Sequence, residues 1–304
     1  MPDEQILNPQ TTGDLVGRAV RVYRANIKKW APLLLWPTIL VLLGRVIYQT
    51  SAFYFQQNQS QFMFLGLLLL GFAVVIVGKW WLCLKLLSFV RFANNFASNL
   101  DDAMAYMKRR KWTLAGITLL CMTIFTAVSI LWMLEIIASG VLLKIAPGPA
   151  VIAMVFGFLG FLVSFAFIIF AFFLSVSALA CEDSGVTTLL SRGFTLSSKS
   201  FWRTLWCGFI AALTVNLIAT PLWLPISVIG SIDAIRAGSS TLQNLPLHWQ
   251  VTVAVWETLI EMVTQPILLL AYGFYYYDLR LRYEGVDVLE ALETIKLKQR
   301  ALLE

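Results

Sequence analysis

Residues 62–90 read FMFLGLLLLGFAVVIVGKWWLCLKLLSFV, an apolar run broken by only two charges, Lys79 and Lys85. A helix of about 20 apolar residues already crosses roughly 30 Å of hydrocarbon, so this stretch is a membrane span. Working outward, comparable runs occur at 31–54, 113–143, 150–181, 203–231 and 250–279. Of the 304 residues, 59% are apolar and 13% charged, and the mean hydropathy is +0.77. Soluble chains carry about 45–50% apolar and about 25% charged residues. No water-soluble domain can hide so much apolar surface with so few polar groups. The expectation is an all-α membrane bundle of six transmembrane helices, with no room left for a large soluble catalytic domain.

The charges set the expected topology. Arg18, Arg21, Arg24, Lys28 and Lys29 precede the first span, and Arg91, Lys108, Arg109, Arg110 and Lys111 join the second to the third. Arg192, Lys199 and Arg203 join the fourth to the fifth, and Arg280, Arg282, Lys296, Lys298 and Arg300 follow the sixth. The opposite loops hold only Lys144 and Arg236. By the positive-inside rule both termini are expected in the cytoplasm, and a bacterial inner membrane is the expected setting. The opening MPDEQILNPQ lacks the basic start of a cleavable signal peptide. Cys83, Cys121, Cys181 and Cys207 all lie in or beside spans and read as small buried apolar residues. The net charge of +6 gathers on the cytoplasmic side, which points to anionic lipid headgroups rather than nucleic acid.

The chain reads as one integral membrane domain with a three-fold parallel repeat. Thr12, Ser98 and Ser184 each open a helical stretch ending in a tryptophan (Trp30, Trp112, Trp202) at the entry of a span. A hydroxyl N-cap satisfies an orphan amide of the first turn. The units run over about 12–97, 98–183 and 184–283, with 284–304 as a cytoplasmic tail. In the first of these helices Leu15, Val16, Ala19, Val20, Val22, Tyr23, Ile27 and Trp30 share one arc, and Arg18, Arg21, Arg24, Lys28 and Lys29 the other. That pattern fits a helix lying on anionic headgroups, or one packing its apolar face on the bundle.

Three motifs carry a resemblance. The first is Thr12-Gly13-Asp14-Leu15 with Arg18, Ala19, Arg21, Tyr23, Arg24 and Asn26. The second is Ala178 to Gly185 with Leu189, Arg192, Phe194, Leu196, Phe201 and Trp202. The third runs from Tyr276 through Tyr277, Asp278, Arg280, Arg282, Glu284 and Gly285 to Asp287. Together they resemble the membrane domain associated with glycerophosphoryl diester phosphodiesterases and its stand-alone bacterial relatives. The resemblance implies a six-span membrane protein and little about chemistry, since catalysis in fused relatives belongs to a separate barrel. In the closing motif, Asp278 with Arg282 and Arg280 with Glu284 are set for i,i+4 pairs, worth a few tenths of a kcal/mol if exposed. Tyr272 and Phe274 to Tyr277 read as an interfacial aromatic belt. The motif is either a docking point for the cytoplasmic helices or an interfacial anchor.

Ionisable groups at membrane depth mark function by default. Arg45 lies in the outer half of the first span, and Glu257 and Glu261 lie four apart on one face of the sixth at similar depth. Lys79 is expected about 8 Å deeper than Glu261, and Gln265 continues the glutamate face. These residues fit a structural ion pair, an ion or solute pathway, or snorkelling at the interface. Enzyme signatures are not found: a lone His248 supplies no zinc triad, and Asp101-Asp102 falls in a helix's first turn, where the dipole explains it. The expected function is non-catalytic, without cofactors: organising anionic lipids, or a protein partner, at the cytoplasmic face. The alternative is a small transporter or channel using Arg45, Glu257 and Glu261.

Overall fold

The computed structural model describes residues 10–57, 62–236 and 246–285. It is all-α, in the order α1 (Thr12–Gln57), α2 (Phe62–Ala93), α3 (Leu100–Arg109), α4 (Lys111–Leu142), α5 (Pro147–Cys181), α6 (Val186–Lys199), α7 (Phe201–Arg236) and α8 (Leu247–Glu284). Helices α1, α2, α4, α5, α7 and α8 are long and apolar enough to span a membrane. Their outward faces are bare apolar side chains, among them Phe62, Met63, Leu119, Phe156, Trp206 and Leu217. A soluble monomer rarely exposes a contiguous apolar patch beyond a few hundred Å². Hydrocarbon is the solvent these faces fit.

The amphipathic stretch 12–30 is not a separate surface helix. It runs without interruption into the first span as part of α1. Most of its apolar arc is taken up by protein: Leu15, Val16, Ala19, Tyr23 and Trp30 are buried and Val20 and Val22 half-buried, while Ile27 is exposed. This decides for packing on the bundle over an apolar face laid into lipid. The other two cytoplasmic-type helices do stop. α3 ends at Arg109 and α4 begins at Lys111; α6 ends at Lys199 and α7 begins at Phe201. Each break, at Arg110 and at Ser200, lies two residues before a tryptophan.

The expected caps sit one residue away from their assigned positions. Thr11 Oγ1 accepts the Asp14 amide at 3.2 Å and donates to the Asp14 carboxylate at 2.5 Å, a hydroxyl cap that starts α1. Asn99 Oδ1 accepts the Asp102 amide at 2.8 Å and starts α3, while Ser98 bonds the Asp102 side chain. Gly185 precedes α6 with no side-chain cap at all. The three tryptophans also differ: Trp30 is fully buried, whereas Trp112 and Trp202 are 75% and 73% exposed.

By contacts the chain divides into two units. One comprises the residues up to Leu15, Lys108–Phe209 and those from Tyr272 onward; the other comprises Val16–Met107 and Ile210–Ala271. In the second unit, α1 and α2 approach closely at glycines. A Cβ at Gly71 would stand 2.6 Å from the Tyr48 nitrogen, and one at Gly44 would stand 2.6 Å from the Val75 nitrogen. Gly78 faces Val41 in the same way, so the pair is antiparallel and held by small residues. Trp30 stacks on Phe89 at 4.4 Å and meets Tyr23 at 5.7 Å, forming an aromatic core. In the first unit α4, α5 and α6 pack together, and α8 is buried at every residue from Tyr272 to Leu279.

That burial corrects the aromatic belt. Tyr272, Phe274, Tyr275, Tyr276 and Tyr277 are core residues rather than interfacial anchors. Tyr272 stacks on Phe173 at 4.7 Å. A buried tyrosine needs a partner for its hydroxyl, and two of these find one: Tyr275 shares a hydrogen bond with Thr204 at 3.0 Å, and Tyr276 donates to Glu182.

Candidate functional site

The first ionic cluster lies within the second unit, on helix faces that the sequence placed in the membrane. The four-residue spacing puts Glu257 and Glu261 on one stripe of α8, with Thr258 beside them. Arg45 of α1 reaches Glu261 at 2.8 Å through Nη2, and through Nη1 it reaches Glu257 at 3.3 Å and the Thr258 hydroxyl at 3.1 Å. Thr258 donates its own proton to the Ala254 carbonyl at 2.7 Å, which leaves its oxygen free to accept. Lys79 of α2 donates to the second oxygen of Glu261. It was expected well below that carboxylate. A flexible four-carbon stem carries the ammonium up to it, as lysines do when the alternative is hydrocarbon.

Two cations meet two carboxylates, so the cluster is charge-balanced and joins α1, α2 and α8. Gln265, one turn further along, is half-buried and is not one of its members.

The second cluster is built in the first unit around Glu182 and Asp278, both buried. Glu182 follows α5 directly. Its carboxylate accepts hydrogen bonds from Tyr276 and Arg192, with Arg280 at 3.3 Å. Glu284 receives Arg192 in a two-pronged contact at 2.6 and 3.2 Å and Arg280 at 3.0 Å. Burial alone would lower the Arg192 pKa; the Glu284 and Glu182 carboxylates beside it outweigh that and hold it above its ordinary value. Arg110 closes the turn after α5 by donating to the Glu182 and Ser184 carbonyls, with Asp183 at 3.0 Å.

Asp278 is the neighbouring hub. It accepts the Gln10 amide at 2.8 Å, Arg203 at 2.7 Å and Arg282 at 3.0 Å. The Gln10 carbonyl in turn accepts both arginines, at 2.8 and 3.0 Å. Gln10, just before α1, is thereby held through both its backbone N–H and its carbonyl.

Both i,i+4 pairs read from the closing motif form, Arg280 with Glu284 and Arg282 with Asp278, although Arg282 itself is exposed. With Asp278 buried, they are the inner part of a network that also ties in α6 and the start of α7. Gly285 follows α8 at φ +59°, a left-handed conformation that glycine adopts without a Cβ penalty. On α1, Arg21, Arg24, Lys28 and Lys29 are exposed and Arg18 is half-buried.

Sequence reasoning did not single out Gln10 or Glu135, held Glu182 only inside a motif stretch, counted Arg110 and Arg203 only as topology charges, and used Arg192 as a topology charge and a motif residue. A signal existed for Glu182: with Asp183 it is an acidic pair directly after 35 helical residues, on the side where bases were expected. Among the described residues no group of three His, Cys, Asp or Glu side chains is placed to hold a metal.

Six apolar spans around internally paired charges define a multi-pass integral membrane protein. Compared with known proteins, the chain matches no family model, no curated protein and no solved structure.

Proposed function

We propose that this membrane protein is a non-enzymatic organiser of the face that carries its bases, holding anionic lipid headgroups along α1 and presenting that face to protein partners. One observation carries the reading. Arg21, Arg24, Lys28 and Lys29 are exposed on α1 and have no carboxylate partner among the described residues, while Leu15, Val16, Ala19, Tyr23 and Trp30 of the opposite arc are buried. Each base beside an anionic surface contributes about 1 kcal/mol, so the four together amount to about 4 kcal/mol. The cytoplasmic orientation and the bacterial inner membrane belong to the same proposal. So does membership of the phosphodiesterase-associated membrane-domain family. It is supported by the way the mid-chain and closing motifs bond to each other through Glu182, Arg192, Arg280 and Glu284.

The test is native mass spectrometry after reconstitution in mixed phosphatidylglycerol and phosphatidylcholine bilayers. The wild type retains phosphatidylglycerol preferentially, and replacing the four bases by glutamine removes the preference. An unchanged lipid profile overturns the reading.

A second reading, a small transporter, is favoured by Glu257, whose side chain is 45% exposed although it sits in a span and pairs with Arg45. Under that reading Glu257→Gln folds normally and abolishes a proton- or cation-coupled flux in liposomes.

A further inference from the structure

Within the first unit, α5 and the junction of α6 with α7 border a cleft of about 370 Å³, lined by Val163, Ser164, Phe167, Ser198 and Phe201. Pockets that hold small ligands run from about 300 to 1,000 Å³. The course of α6 sets the depth of this one. Val186, at the start of α6, meets Gly116 of α4, and Gly193 packs on the Ala171 carbonyl and Ser175 of α5. α6 therefore crosses α5 near Ala171 on its way to the start of α7. Phe167 lies one turn, and Val163 two turns, beyond that crossing towards the middle of the span, about 6 and 12 Å. Trp202, next to Phe201, is exposed, as tryptophans are at the headgroup boundary. The cleft thus begins at that boundary, beside Ser198, and continues into hydrocarbon. The Phe167 ring holds its wall in place, meeting Phe194 at 5.8 Å and Phe201 at 5.9 Å.

Two polar groups at the cleft are left without partners. Thr118, Thr123, Thr126 and Ser175 turn their hydroxyls back to the carbonyl four residues earlier. Ser164 does not, and its hydroxyl makes no hydrogen bond among the described residues. Lys199, adjoining Ser198, is exposed and makes no ion pair among the described residues, whereas Arg192 and Arg203 are committed to carboxylates.

A recess at this depth is filled by hydrocarbon chains rather than by water. An acyl chain suits Val163, Phe167 and Phe201, but a hydroxyl in hydrocarbon also needs an acceptor. The ester carbonyl of a phospholipid arrives with the chain and supplies one. A cation at the outer end favours a phosphate that brings no amine of its own. The geometry points to this cleft as the binding site of one anionic phospholipid, with an acyl chain along Val163 and Phe167, an ester carbonyl accepting from Ser164 and the phosphate at Lys199. It is a separate site from the row of bases on α1. The other cleft of this unit, about 440 Å³ between α4 and α5 beside Ile136, Val155 and Phe158, is lined by apolar residues throughout and selects no headgroup.

The experiment uses the full chain in phosphatidylcholine liposomes doped with phosphatidylglycerol that carries a photoreactive diazirine in its acyl chain. Irradiation of the wild type labels residues 163–167. The same diazirine on phosphatidylcholine labels them about fivefold less, the discrimination expected from one base beside an anionic headgroup. Lys199→Gln abolishes the difference between the two lipids, and Ser164→Phe, which places a ring in the cleft, abolishes the label. Val155→Phe, in the apolar cleft, changes neither. Replacing the four α1 bases by glutamine leaves the label at 163–167 in place, so the two lipid readings stand or fall separately. Equal labelling of 163–167 by the two lipids in the wild type, labelling no stronger than that of 151–159, or discrimination that persists in Lys199→Gln overturns the assignment. The comparison of lipids is made on the wild type, so it decides the matter even if Ser164→Phe folds poorly.

Discussion

Among single residues, the charged side chains differ in how many partners depend on them. Glu261 holds Arg45 and Lys79, while half-exposed Glu257 holds Arg45 alone, so Glu261→Gln should lower the melting temperature more than Glu257→Gln. Arg45→Met removes the shared cation, and breaking a buried pair in this way costs roughly 3–5 kcal/mol. Neutralising Arg45, Glu257 and Glu261 together still strands Lys79. Adding Lys79→Met to that triple should therefore recover stability, which thermal unfolding in native lipid would read directly; no recovery would deny that the four act as a unit. At the second hub, Asp278→Asn leaves Arg203 and Arg282 facing a neutral amide in a buried site. It should cost about 3 kcal/mol, more than Glu284→Gln at a more open position, measured in the same unfolding experiment. The sequence revealed that these residues were unusual where they stood. It did not reveal Glu182 or Arg203 as partners of the closing motif, since neither is near that motif in the chain.

For the helices, close approach is set by what is missing from the side chains. Gly71→Leu would drive a side chain into the Tyr48 backbone, which cannot rotate away, and it should part α1 from α2 with loss of folded yield. Gly66, in the same helix, has open space around it, so Gly66→Ala should be neutral or stabilising by up to about 1 kcal/mol. Equal effects of the two in unfolding and size-exclusion measurements would remove the close-packing account. The helical pattern of 12–30 was legible in the sequence, including which arc is apolar. Its fusion with the first span was not, because Trp30 read as the end of one helix and the entry of the next; α1 runs straight through, with Pro32 inside it. The tyrosines of α8 misled for a similar reason. An aromatic run beside charges reads as an interface, and only the neighbouring Phe173, Thr204 and Glu182 turn it into core.

Across the whole molecule, the bias of the basic residues makes orientation testable. With the termini in the cytoplasm, single cysteines at 109 and 199 should label from that side and one at 145 from the other; reversed labelling at any two would overturn the topology. The span count, the all-α class and the segregation of bases follow from the sequence by itself. Each depends on a window of about 20 residues meeting a slab of hydrocarbon, which is a local property. The tertiary structure alone decided which charges meet and that most of the apolar arc of α1 is covered by protein. In a medium without water, a polar group is satisfied only by what packing brings to within about 3 Å. Side-chain reach and the depth of glycine recesses set that outcome, and neither is written in the order of residues along the chain.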